Sequence, residues 1–330
     1  MTTPQDNAVA RAILGRVLLH QRRSPIGRQC AEAPCPHCAD THLDRVARYV
    51  AAGRAVEFVL PAFPTKSPNP AKVLGVRPDL AEELALRFLS ELCRDIAKIH
   101  EPGAKVVICS DGRVFGQLIR VSDASISTYQ DGMRELVDKI DPRHLELFNL
   151  DDVCPSHSHD EMRSKIDVEY GESLEELRAE IKADDNALAM YRGIVRFLVE
   201  DQWNSAYEGT RSALQRECRA RAYGVVGRSR SWGKLLAERF PDAVRLSIHP
   251  QPCASEKIGI LLASADDVWL TPWHAVAVEQ DGGFTLMKRE HAEQAGARLV
   301  FVDGHPSHYV LSVTGPGRPP APLRSPLAAR

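Results

Sequence analysis

The sequence predicts an α/β protein: a Rossmann-like, mainly parallel sheet flanked by helices, with a small antiparallel β lobe near the C-terminus. Three observations carry this prediction. Two short runs dense in β-branched residues, AVEFVLPA and AKVVICSDG, are separated by a long amphipathic stretch, the order that gives a parallel sheet covered on both faces. Further strand-like and helical runs alternate downstream. Near the C-terminus, short alternating runs meet at Asp281-Gly282-Gly283 and again at Asp303-Gly304, a hairpin signal.

Taken in order, Val9, Ile13, Val17 and Leu18 have the spacing of a surface helix. AVEFVLPA is the first strand. PDLAEELALRFLSELCRDIAKIHEPG is a helix with an apolar stripe at Leu80, Leu84, Phe88, Leu92 and Ile96, stopped by Pro102-Gly103. AKVVICSDG is a buried strand. Ser173 opens a capping box, SLEE, at the head of a polar helix, and NALAMYRGIVRFLVEDQ continues in helical period. AYGVVG reads as a strand, SWGKLLAERF as a helix, and AVRLSIHP, KIGILLA and WLTP as strands. The proline-rich tail TGPGRPPAPLRSPLAAR lacks the pattern of a packed element. The expected division is an N-terminal helical, cysteine-containing segment (1–45), an α/β catalytic core (46–270), a β lobe completing the site (271–315) and a disordered tail (316–330).

A net charge of −2 removes the electrostatic argument for a nucleic-acid binder, which needs a basic surplus. No apolar run approaches the roughly 20 residues that cross a bilayer, and the N-terminus lacks the order of a signal peptide. With eight cysteines scattered through the chain, reduced thiols in a cytoplasm are expected. One cluster stands apart: Cys30, Cys35, His37, Cys38 and His42 in CAEAPCPHCADTH. Cys30, Cys35, Cys38 and His42 form a possible zinc set, but it is tighter than a two-knuckle site, which favours local packing or a free-thiol turn.

In open α/β sheets, ligands bind beyond the carboxyl ends of the strands. There the sequence places Lys66 and Ser67, Ser110 and Asp111, Arg228 and Ser229, His249, and Thr271, Trp273 and His274. Each pair alone is what any polar loop supplies; together they bring cations, a carboxylate and two imidazoles to one edge. GRSRSWGK (227–234) reads as the start of a helix with open N–H groups and two arginines, a cradle for phosphate. It matches neither glycine-rich nucleotide fingerprint. Asp111 is a candidate base and His249 and His274 candidate proton carriers. His157 and His159, without a third ligand, read as solvated loop histidines.

The joint occurrence of FPTKSPN, CSDGRVF, RLSIHP, KIGI and TPWH resembles the isonitrile (isocyanide) synthases of PvcA type, which are related to fungal dityrosine spore-wall enzymes. The likeness runs from about Cys30 to Tyr309, with Thr65 where a bulkier aromatic residue is expected. It implies a metal-independent, lyase-type C–N reaction in secondary metabolism. The α-amine of an aromatic L-amino acid, tyrosine or tryptophan, becomes an isocyano group, with ribulose 5-phosphate as carbon donor and no cofactor. It also implies a downstream iron/2-oxoglutarate oxygenase acting on the product. On this reading Lys66, held over the sheet edge by a proline-braced loop, neutralises the sugar phosphate or polarises its ketone. Arg228 and Ser229, with Lys257 from the KIGI strand, hold the phosphate. Two other classes remain open from the residues: a sugar-phosphate isomerase or aldolase using Lys66 covalently, and a non-catalytic nucleotide-binding module.

Overall fold

The computed structural model describes residues 2–155, 157–204, 206–267 and 269–311; the expected tail at 316–330 lies outside them. In chain order the elements are α1 (Pro4–Leu18), α2 (Pro36–Ala51), β1 (Val56–Pro61), α3 (Leu80–Ala97), β2 (Ala104–Ser110), α4 (Gly112–Ile119), α5 (Asp123–Ile140), β3 (Leu145–Asn149) and α6 (Leu150–Val153). Then follow α7 (His159–Tyr170), α8 (Leu174–Ala183), α9 (Asp185–Gln202), α10 (Arg211–Arg239), β4 (Val244–Ser247) and β5 (Ile258–Gly259). A 3-10 turn at Pro272–His274 leads to β6 (Val276–Gln280), β7 (Gly283–Met287), α11 (Arg289–Gln294), β8 (Arg298–Val302) and β9 (His305–Val310).

The main sheet has the order β3-β2-β1-β4-β5, and every neighbouring pair is parallel. Its strands read as apolar runs because both faces are covered. Phe58, Leu60, Val106 and Ile108 pack on one side with Ile13 and Leu14 of α1, Val46 of α2 and Leu86 and Leu89 of α3. The alternate residues Val59, Val107 and Cys109 face the other side, with Leu198 of α9 and Val226 and Trp232 of α10. The period of two along each strand therefore divides a single sheet between two cores.

The N-terminal segment is part of this core. The expected boundary at 45/46 falls inside α2, whose Val46 and Ala47 are fully buried beside α1. Residues after α1 also extend the sheet. Gln21 bridges Ile260 in antiparallel fashion, and the Arg22 N–H donates to the Gly259 carbonyl at 2.8 Å. A Cβ on Gly259 would stand 2.3 Å from that Arg22 oxygen, so only glycine admits this approach.

Three expectations are corrected. AYGVVG is not a strand but the middle of α10, which runs unbroken from Arg211 to Arg239. WLTP does not form a strand either; Thr271 instead caps the short 3-10 turn. The C-terminal lobe is a mixed sheet, order β7-β6-β9-β8: the two hairpins are antiparallel, but they join through a parallel β6–β9 pair. Both turns are tight, with left-handed Asp281-Gly282 and Asp303-Gly304. The lobe rests on the head of α3, where Ala81 packs with Ala275, Ala277 and Leu286. No helix among the described residues is long and apolar enough to cross a membrane.

Candidate active site at the carboxyl edge of the sheet

At the carboxyl edge, β1 leaves the sheet into a loop whose polar residues are buried: Thr65, Lys66, Ser67 and Asn69 are each at most 6% exposed. Phe63 adopts a left-handed backbone (φ +56°), a conformation costly for a bulky residue unless its surroundings hold it. They do. Ser110 Oγ donates to the Phe63 carbonyl at 2.8 Å, and the Phe63 ring packs on Trp273 at 5.2 Å between centroids. Gly112 lies so close beneath the loop that a Cβ would meet the Pro64 oxygen at 1.8 Å.

Lys66 does not face an open cleft. Its ammonium is fully buried, 2.8 Å from Asp79 Oδ2 and 2.7 Å from Glu82 Oε2, and donates to the Pro272 carbonyl at 3.2 Å. Burial alone would lower its pKa, but the two carboxylates outweigh that and raise it. A permanently charged amine is not a nucleophile, so this geometry does not support a covalent Lys66. Burial pushes Glu82 up, and Tyr129 donates its hydroxyl to the other Glu82 oxygen at 3.1 Å. Lys66 thus ties the loop to α3 and to the turn before β6.

The same turn carries His274. The Ser67 N–H donates to the Trp273 carbonyl at 3.0 Å, while Thr271 Oγ1 meets His274 Nδ1 at 3.1 Å. His274 Nε2 lies 3.3 Å from Asp201 Oδ2 at the end of α9, and Lys72 pairs with the other Asp201 oxygen. Burial would raise Asp201, but His274 and Lys72 hold it down to about 2. His274 therefore stands between a hydroxyl and a buried carboxylate, oriented at both nitrogens.

Asp111 follows β2 and takes the N-cap position of α4 without capping it by its side chain. It has no ion-pair partner among the described residues, and desolvation raises its pKa to about 7. Asp111 is half-buried, while His249 and Lys257 are exposed. Desolvation, with the cations Arg22 and Lys257 nearby, brings His249 down to about 4. Arg22 donates to the carbonyl of Ile248, and Ile248, Thr271 and Pro272 line one narrow cleft with it. Lys257 stands before β5, level with Arg245 rather than at a strand end.

The phosphate cradle expected at 227–234 is not there. These residues lie mid-helix, so their N–H groups are committed to α10. Arg228 pairs with Asp167 at 2.9 Å and donates to the Val114 carbonyl at 3.1 Å; Arg230 pairs with Glu180 at 2.6 Å. Ser229 points to solvent. A different basic feature lies nearby, a groove of about 500 Å³ between α9 and α10 lined by Arg192, Arg196, Arg211 and Arg219. None of the four has an ion-pair partner among the described residues, and Glu200 at its rim accepts Asn69 Nδ2 through its carbonyl at 2.8 Å.

Elsewhere, His157 is exposed as expected, while His159 begins α7 and faces Asp123 at 3.5 Å. The thiol cluster also differs: Cys30, Cys35 and Cys38 converge with Cys253 rather than His42. His42 is buried beside the Ser255 backbone, and desolvation lowers it to about 4. Sequence reasoning missed Asp79, Glu82, Tyr129 and Asp201. Glu82 left a signal, an acidic residue in line with buried Leu86, Leu89 and Cys93 on the apolar face of α3.

A doubly covered parallel sheet with its polar groups gathered at the carboxyl edge defines an α/β protein of the enzyme-bearing kind. The pyoverdine/dityrosine biosynthesis protein family matches residues 46–300, and the chain belongs to that family. It is 47% identical to an L-tyrosine isonitrile synthase of Pseudomonas aeruginosa, covering 93% of this chain and 95% of that one. It is 42% identical to an L-tryptophan isonitrile synthase of Fischerella ambigua, covering 92% of each. The crystal structure of the Pseudomonas aeruginosa PvcA protein superposes with a TM-score of 0.87 over 92% of this chain and 99% of that one, at 47% identity.

Proposed function

We propose that this protein is an isonitrile synthase acting on an aromatic L-amino acid, tyrosine in preference to tryptophan, with ribulose 5-phosphate as carbon donor and no cofactor. The observation that carries the reading is the near full-length likeness to the L-tyrosine isonitrile synthase. The geometry agrees with it. Asp111, half-buried and without an ion-pair partner among the described residues, offers a carboxylate that suits the ammonium of an α-amino acid.

An Asp111 carboxyl that titrates near 7 takes a proton from the substrate ammonium, freeing the amine to attack the sugar ketone. His274, held by Thr271 and Asp201, carries protons during loss of water or cleavage of the sugar. The sugar phosphate takes the arginine groove between α9 and α10, since Arg228 and Arg230 are bound to carboxylates. Lys66, Ser67, Ser110 and Trp273 position the loop. His249 and Lys257 stand in the neighbouring β4–β5 loop. The product isonitrile then passes to an iron/2-oxoglutarate oxygenase.

Incubation with ribulose 5-phosphate and each aromatic amino acid, followed by mass spectrometry, tests the reading. It predicts an isonitrile carrying one sugar-derived carbon, formed faster from tyrosine. Sugar consumption without amino acid, or no product from either amino acid, overturns it.

A further inference from the structure

Cys30 lies in the loop before α2, Cys35 is the N-cap of α2, Cys38 sits three residues into the helix, and Cys253 follows β4 more than 200 residues away. Their four sulfurs all lie within 4.8 Å of one another. Cys30–Cys38 and Cys35–Cys253 are 3.6 Å apart, and Cys38–Cys253 is 4.0 Å. A tetrahedral zinc with Zn–S of about 2.3 Å places its sulfurs about 3.8 Å apart. A disulfide requires about 2.05 Å. Three of the six edges are thus close to those of an S₄ tetrahedron, and none exceeds 4.8 Å.

The surroundings suit thiolates. Cys35 and Cys38 occupy the positive end of the 16-residue α2, where no side chain caps the helix. Cys38 Sγ accepts the Ala254 N–H and Gln21 Nε2, both at 3.4 Å. The Cys253 N–H donates to the Arg28 carbonyl at 2.8 Å, fixing one loop on the other. Cys35, Cys38 and Cys253 are buried and Cys30 is half-buried, so an ion has access from one side only.

We infer that Cys30, Cys35, Cys38 and Cys253 bind one structural zinc ion. An all-thiolate tetrahedral set without an open position selects zinc and leaves no coordination site for substrate. The ion staples the N-terminal segment to the loop between β4 and β5, which carries His249 and Lys257. Its role is separate from the reaction, so the inference stands or falls independently of the proposed activity.

Elemental analysis of the full chain, purified without chelator, is expected to give about one zinc per chain. Cobalt reconstitution should give thiolate-to-metal charge-transfer absorption and the visible bands of a tetrahedral site. Cys253→Ser should lose the metal. Because that variant removes a buried group and risks misfolding, Cys30→Ser at the half-exposed corner is the companion: it should keep the native circular dichroism and lose most of the cobalt charge-transfer intensity. Wild-type protein that binds neither zinc nor cobalt after reconstitution overturns the inference. So does a disulfide within the cluster, found by alkylation and mass spectrometry without reductant, or a Cys30→Ser protein with undiminished cobalt absorption.

Discussion

Glu82 Oε2 stands 2.7 Å from the ammonium of Lys66, and neither group touches water. With Asp79 also at 2.8 Å, one cation serves two carboxylates. The cluster is neutral only if a proton is shared among them, which is why burial drives Glu82 upward. Removing the cation strands negative charge in a dry site.

Lys66→Met is therefore expected to lose stability first, by about 3–5 kcal/mol, the usual cost of breaking a buried pair from one side. Glu82→Gln should cost less, because Lys66 keeps Asp79. Urea midpoints of the two variants check this. A Lys66→Met protein of wild-type stability and greatly reduced turnover would restore a direct catalytic role.

The raised pKa of Asp111 fixes a sign. Its folded value of about 7 exceeds the ordinary 3.8, so the stability it contributes is fully present below about pH 4 and lost as pH rises through about 7. Asp111→Asn should flatten that part of the stability profile and be relatively more stable at pH 8. If Asp111 is the base, turnover in the wild type should rise with pH about an apparent pKa near 7, and Asp111→Asn should abolish the rise. Unfolding and rate profiles between pH 5 and 9 test both.

Arg228→Ala should leave the KM for ribulose 5-phosphate nearly unchanged and cost at most about 1 kcal/mol of stability, since its partner Asp167 is largely exposed. Arg196→Ala, in the groove between α9 and α10, should raise that KM at least tenfold if it binds phosphate, because a charge-assisted hydrogen bond contributes about 1.5–3 kcal/mol. The reverse ranking would move the phosphate back to α10.

Asp201→Asn removes the charge that orients His274. Turnover should fall by about tenfold or more with little change in the KM for tyrosine. Asp201, held near 2 against an ordinary 3.8, contributes stability that is present above about pH 4 and lost as pH falls through about 2, so the asparagine variant should lose stability at neutral pH. If His274→Ala keeps activity within about threefold, the acid–base work lies elsewhere.

Where local pattern and tertiary environment agreed, the elements were readable. β1 and β2 are apolar because both faces are covered, and both C-terminal hairpins announce themselves by Asp-Gly turns; α3 was legible as a helix, but its buried face runs through Leu86, Leu89 and Cys93 with Leu92 and Ile96, while Leu80, Leu84 and Phe88 are only half-buried. The Tyr223–Gly227 stretch misled because β-branched residues between glycines imitate a strand. Its glycine answers a packing demand instead: a Cβ on Gly224 would meet Leu118 at 2.9 Å. β3, five residues with the charged Glu146 second among them, is too short to show a period. The loop of Lys66 and the turn of His274 were marked as site material, and the structure joins them. Their partners Asp79, Glu82 and Asp201 come from helices, where acidic residues pass for solvated surface until the fold brings a cation to them.

The bridge between Gln21 and Ile260 has a consequence for how the chain matures. The segment that seals the outer edge of the sheet is made first, and the strand it seals is made some 240 residues later. During synthesis, α1 and α2 can pack on each other and on β1 and α3, but Gln21 and Arg22 must wait for β5 before the edge they seal exists, a long-range closure of the kind that slows folding and leaves nascent chains open to aggregation. Chaperone dependence during expression, relieved when synthesis is slowed or cooled, is the expected mark of a sheet whose last edge is closed by its first residues.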